Sequence, residues 1–184
     1  MNIHVALLRG INVGGKNRLS MKDLAAMFED AGCRSVTTYI QSGNVIFQAT
    51  PPLARRIPSL VQDAIADRFD FDAPVLTRTA EELVKTVRAN PFLKAGADVE
   101  RLHVAFLADR PAAANVKALD PDRSPPDAFA VRGREIYLHL PNGAGRTKLT
   151  NAYFDTKLET VSTLRNWRTV LKLLELAAQT RKET

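Results

Sequence analysis

The sequence predicts an α+β protein made of two tandem α/β-plait (ferredoxin-like) units, each an antiparallel sheet with helices on one face. Three observations carry this. Strand-like and helix-like segments alternate in the order β-α-β-β-α-β over residues 1–77. The order β-α-β-β-α recurs over residues 78–184, with the final strand absent or unrecognised. The punctuation is that of tight antiparallel turns, Gln41-Ser42-Gly43-Asn44 and Gly133-Arg134.

Each element has a local reason. Ile3 to Leu8 is a short apolar run broken at Arg9, as a buried strand is. Ser20 reads as a helix N-cap with Asp23 three residues on, and Met21, Leu24, Met27 and Phe28 follow at helical spacing up to Gly32. Val36–Ile40 and Val45–Gln48 read as strands around the Gln41–Asn44 turn. Leu60, Val61, Ala64, Ile65 and Phe69 form the stripe of a second helix, and the start of that helix is left open, because Pro58 can open a helix but not sit deep inside one. Ala73–Thr77 is the fourth strand, and the boundary between units is placed at Thr77–Thr79.

In the second unit, Ala80–Ala89 is a helix stopped at Asn90-Pro91. Leu102–Leu107 is a strand, Pro111–Leu119 a short helix, and Ala128–Arg132 with Glu135–Leu140 a hairpin. The last element is a helix over about Leu164–Ala178, capped by Thr163, with Trp167, Val170, Leu171, Leu174 and Ala178 facing inward. No internal sequence repeat is visible.

Composition sets outer bounds. Apolar residues make up 45% and charged residues 25%, which is ordinary for a chain that folds around a core. There is no apolar run of about 18 residues, so no spanning helix is expected. The short N-terminal apolar stretch lacks a basic lead and stops at Arg9, unlike a signal peptide. The single cysteine, Cys33, fits a reducing, cytoplasmic compartment and reads as structural. The net charge is +6. Residues 1–50 hold five basic and three acidic groups and residues 146–184 hold eight and four, so the excess sits toward the two ends.

Gly10-Ile11-Asn12-Val13-Gly14-Gly15-Lys16 matches the first seven positions of a P-loop, but Asn17 stands where Ser or Thr should hold magnesium, and the helix cap comes three residues later. What remains is a glycine loop flanked by Arg9 and Lys16. It is either an anion-binding nest or a loop whose glycines only supply backbone freedom. Gln41-Ser42-Gly43-Asn44 carries amides and a hydroxyl but shows no base nearby to activate Ser42. His4, His103 and His139 alternate away from the most apolar strand positions and are expected on the sheet face opposite the helices, or between layers. They share no metal-ligand spacing, so no metal site is assigned. An RNA-recognition motif has this strand order but needs more strand aromatics than Phe47 provides.

The basic tail adds Arg146, Lys148, Asn151, Arg165, Asn166 and Arg168 around Trp167, which is expected to be core. In the split βαβ plan the first and third strands are antiparallel neighbours. The glycine loop and the Gln41–Asn44 turn therefore belong at one edge, with Arg9, Asn12, Lys16 and Asn17 near Gln41, Ser42 and Asn44. Lys148, Asn151, Arg165 and Asn166 join this candidate ligand-binding set on charge and composition alone.

Five blocks, Ala6–Asn17, Thr38–Val45, Asn90-Pro91-Phe92, Lys148-Leu149-Thr150-Asn151 and Arg165-Asn166-Trp167, closely resemble a bacterial family known only as a domain of unknown function. The resemblance runs along nearly the whole chain and implies a pair of α/β-plait subdomains. It implies no activity, cofactor or catalytic residue. Thr147 and Arg168 depart from the pattern, which favours Ser and Asn there. The first expectation is a binding module for a small anionic or phosphorylated ligand, the second an enzyme acting on a phosphorylated substrate, the third charge-driven nucleic-acid binding. No cofactor is named by the sequence.

Overall fold

The structure is a computed structural model and describes residues 1–182. The chain divides into two compact units, Met1–Val84 together with the chain from Lys172 on, and Lys85–Leu171. The division falls inside one helix (Ala80–Ala89) and again inside the last one. No described helix is long and apolar enough to cross a membrane.

The first unit runs β1 (Asn2–Leu8), α1 (Met21–Asp30), β2 (Arg34–Tyr39), β3 (Asn44–Ala49), α2 (Pro51–Phe69) and β4 (Val75–Thr79). Its sheet has the order β2-β3-β1-β4, antiparallel throughout. This is the split βαβ plan. Both helices pack on one face, where Ala6, Leu8, Val45 and Phe47 meet Leu24, Phe28, Ile57, Val61 and Ile65. The Ser20 hydroxyl accepts from the Asp23 N–H at 3.0 Å and so starts α1 as expected. Helix α2 differs from expectation. It begins at Pro51 after Thr50, with prolines at its first two positions, and Pro58 lies well inside it. A proline there removes one hydrogen bond and costs about 3 kcal/mol. Burial of Ala54, Ile57, Val61 and Ile65 on both sides of it outweighs that cost.

The second unit continues from α3 (Ala80–Ala89) through α4 (Pro91–Lys94) and a 3-10 turn (Val99–Arg101). Then come β5 (Leu102–Leu107), α5 (Ala113–Lys117), β6 (Ala128–Arg132), β7 (Glu135–His139), α6 (Asn151–Leu158), β8 (Ser162–Asn166) and α7 (Trp167–Lys182). The sheet order is β6-β7-β5-β8, again antiparallel. Helix α6 and strand β8 complete the plan that the sequence left open. Thr163 is a strand residue, not a cap, and α7 starts at Trp167. The inward face of α7 also differs. Trp167, Val170, Leu173 and Ala177 are buried, whereas Leu171 and Ala178 are exposed. Two threonines, Thr169 and Thr180, take buried positions on this helix, so a stripe traced through apolar residues alone is rotated off the true face.

The two sheets repeat one register, which the sequence reading did not recognise. Ile3-His4-Val5-Ala6-Leu7-Leu8 in β1 matches Leu102-His103-Val104-Ala105-Phe106-Leu107 in β5 at His, Val, Ala and the last Leu. Val5 pairs with Arg78 and Val104 with Arg165. His4 pairs with Phe47 and His103 with Leu138. The Leu8 N–H donates to Gly43 O and the Leu107 N–H to Arg134 O, each at 2.8 Å. The units differ in the link that follows the first strand, residues 9–20 in one and 108–112 in the other.

The same register corrects the placing of two histidines. His4 shares its face with Ala6 and Leu8, and His103 with Ala105 and Leu107, which are the helix-covered faces. His139 lies on the opposite face, where its ring is 5.9 Å from that of Phe92 in α4. His4 stacks on Phe47 at 5.4 Å with its Nε2 buried and unpartnered, and His103 buries an unpartnered Nδ1. Burial holds both imidazoles below their ordinary 6.5. Glu82 and Glu81 partly offset this for His4, and a backbone hydrogen bond at Arg101 does so for His103.

Two outcomes follow from this packing. Trp167 is 1% exposed, as expected of a core residue, and Trp167→Ala should cost about 3–5 kcal/mol in urea unfolding. The unfolded chain protonates its histidines near 6.5, while folded His4 and His103 resist until lower pH. Stability that is complete above the unfolded value therefore falls as pH drops through the folded ones. Urea midpoints should decline on acidification, and His4→Leu should flatten the decline. An unchanged slope in that variant would exclude His4 as a source of the effect.

Candidate functional site

Antiparallel pairing of β1 with β3 brings the end of one to the start of the other, so the glycine loop and the β2–β3 turn meet, as the topology predicts. Gly43 makes the approach possible. Its φ is +75°, and a Cβ there would lie 2.6 Å from Leu8 Cβ and 2.9 Å from Ile11 Cδ1. Ile11, 1% exposed, anchors the loop in the core beside it.

Two asparagines give the loop its form. Asn12, at φ +54°, donates through Nδ2 to Leu19 O and Gln41 O, both at 2.8 Å, and accepts the Leu19 N–H at 2.9 Å. Asn17 donates through Nδ2 to Gly10 O at 3.0 Å, and its own carbonyl accepts the Asn12 N–H at 3.0 Å. Between them Val13 to Lys16 doubles back in a turn closed by the Lys16 N–H on Val13 O at 3.1 Å, with both central glycines at positive φ. A P-loop would run straight into its helix, whereas this loop folds back on itself and α1 begins only at Met21.

What this framework leaves at the surface is basic. Lys16 and Arg18 are exposed, and neither has an ion pair among the described residues. Asn12, Gly15, Arg18, Leu19, Ser20 and Gln41 surround an open depression of about 460 Å³. Arg9 is half-buried at the start of the loop, with its N–H on Pro74 O. Arg18 was not among the residues expected here. The sequence signal for it is a second cation in the same loop, next to a leucine that has to be buried.

Asn44 is a correction. It was expected on one exposed surface with Lys16, but it is fully buried. Its Nδ2 donates to Tyr39 O at 3.1 Å and to the Ser42 hydroxyl at 3.0 Å, so it holds the turn from within. The Ser42 hydroxyl takes the acceptor's part in that bond. Cys33 is buried as well, and burial pushes its thiol up to about 11, which suits a structural residue.

Lys148, Asn151, Arg165 and Asn166 belong to the other unit. Lys148 is exposed, and its N–H donates to the Ser124 hydroxyl. Asn151 opens α6 and accepts from the Ser162 hydroxyl at 3.2 Å. Arg165 is buried in β8, donating to Thr163 Oγ1 and Leu164 O, and burial lowers it to about 10. Asn166 caps α7 by accepting the Thr169 N–H at 2.8 Å. A second depression, of about 300 Å³, lies among Glu100, His103, Asn166 and Arg168. There Arg168 is already paired with Glu100. Among the described residues no group of three or more His, Cys, Asp or Glu could hold a metal ion.

Gly43→Ala tests the close approach of turn and loop. The added methyl meets Leu8 and Ile11 in a strained backbone conformation, so the variant should lose more than about 2 kcal/mol, read from its urea midpoint.

Comparison with curated proteins finds none that matches. Among solved structures, the conserved bacterial protein SP0830 from Streptococcus pneumoniae is similar, with a TM-score of 0.74 at 21% identity, over 96% of this chain and 98% of that one. That likeness shows the fold alone. The family model described as protein of unknown function (DUF1697) matches residues 1–137, which include the glycine loop, the Gln41–Asn44 turn and Asn90-Pro91-Phe92. With the greater part of its length matched, the chain belongs to this DUF1697 family of proteins of unknown function.

Proposed function

We propose that the chain is a binding module for a small anionic or phosphorylated ligand, held at the glycine loop. The observation that carries the reading is the pairing of charge with carbonyl consumption. Asn12 and Asn17 take up the carbonyls of Gly10, Leu19 and Gln41, which would otherwise repel an anion. Arg18 lines the open depression and Lys16 follows Gly15, which also lines it; neither cation has a carboxylate partner among the described residues. The N–H groups of Gly14 and Gly15, beside Lys16, have no acceptor among the described residues and supply further donors. Asp23, in the first turn of α1, is the nearby opposing charge and is engaged with Ser20. The single, buried Cys33 supports a reducing, cytoplasmic setting.

On this reading the roles divide. Lys16 and Arg18 contact the ligand, while Asn12, Asn17, Gln41, Ser42 and Asn44 shape the surface that presents it. Inorganic phosphate or pyrophosphate at saturating concentration should raise the melting temperature of the full chain. The double substitution Lys16→Ala, Arg18→Ala should leave the unliganded melting temperature unchanged and weaken binding about tenfold or more, the effect of losing one or two charge-assisted hydrogen bonds. Absence of any shift in the unsubstituted chain would overturn the proposal. Affinity for RNA or DNA that falls steeply with salt would replace it with the electrostatic reading.

A further inference from the structure

We infer that the ligand carries an apolar body beside its anionic group, and that Ile40 is the residue that reads it. The inference rests on the anion reading of the glycine loop and adds the class of ligand, a phosphomonoester with an aromatic or aliphatic substituent. Ile40 is the first residue of the loop closed by the Tyr39–Asn44 pair, and its φ is +48°. A β-branched side chain is strained in that region, which glycine, asparagine and aspartate occupy readily. The other non-glycine residues at positive φ among the described ones are Asn12, Asn17, Ser35, Asp70 and Glu159, none of them apolar.

Burial does not offset the strain at Ile40. The residue is 48% exposed, so it is not held there by the core. Local backbone strain that packing does not explain accumulates where a side chain serves a ligand. The position fits that role. Ile40 precedes Gln41, which lines the depression and whose carbonyl is fastened to Asn12 at 2.8 Å. Val13, 65% exposed, follows Asn12 on the other side of the same bond. Two exposed apolar residues thus adjoin in the chain the two residues, Gln41 and Asn12, that are bonded to each other and line the depression. An isolated exposed isoleucine is ordinary on a protein surface. One held in a backbone conformation that opposes it, next in the chain to a residue that lines a basic depression, is not.

The test compares phenyl phosphate with inorganic phosphate by calorimetry, on the unsubstituted chain and on Ile40→Gly. Glycine accepts the native φ, so the variant should fold with an unchanged or higher melting temperature. The unsubstituted chain should prefer phenyl phosphate by about fivefold, the effect of covering half an isoleucine side chain, and Ile40→Gly should bind both probes alike. Ile40→Asn, which also accepts the conformation, should repeat the result. Equal binding of both probes by the unsubstituted chain, or a preference that survives in Ile40→Gly, would overturn the inference and leave the anion reading standing. Binding of neither probe would overturn the anion reading, and this inference with it.

Discussion

The side chain of Asn12 commits three hydrogen bonds to the backbone, giving two and taking one. Through them the glycine loop closes on Leu19 and is fastened to Gln41 in the β2–β3 turn. An aspartate in its place would lack both donors, and a leucine would leave three polar groups without partners. The loop has no regular structure of its own, and fixing each residue costs about 1–2 kcal/mol of conformational entropy. The Asn12 bonds, the buried Ile11 and the Leu8–Gly43 bond are what offset that cost. Asn12 is thus the side chain that joins the loop bearing Lys16 and Arg18 to the turn that begins at Ile40.

The other recognisable motifs carry the same theme. Asn44 secures the hairpin turn from inside, Asn90 caps α4 by accepting from the Phe92 and Leu93 N–H groups, and Asn166 caps α7. A side-chain amide both donates and accepts, and asparagine tolerates left-handed backbone, so it settles the polar groups that a turn or helix end leaves open. The blocks that identify the chain therefore specify architecture first. The residues proposed to meet a ligand lie beside those amides and stand out only once the framework is known.

Much of this was legible in the sequence. The strand-helix order gave the first unit, because Ile3–Leu8 and Val45–Gln48 have clear period and length and are bounded by glycine-rich turns. Antiparallel pairing of those strands was enough to predict that loop and turn would meet. Strand β8 was missed because Ser162-Thr163-Leu164-Arg165 carries a buried arginine and buried hydroxyls where an apolar pattern is sought. Pro58 misled in the opposite direction, since tertiary burial of α2 overrides a local helix breaker. The burial of Asn44 was unreadable because an amide inside a turn and an amide on a surface look alike in sequence. The repeat between β1 and β5 is six residues long, too short to notice until paired strands align it.

The second unit also serves as a control on the first. It closes the same register with a five-residue link, Ala108–Ala112, where the first unit spends twelve, Arg9–Ser20. The plait can evidently be completed without the longer excursion. Arg9–Ser20 is thus an elaboration on a scaffold that is already sufficient. Selection on its exposed tip can proceed without endangering the sheet beneath, provided Ile11 and Asn12 continue to moor it.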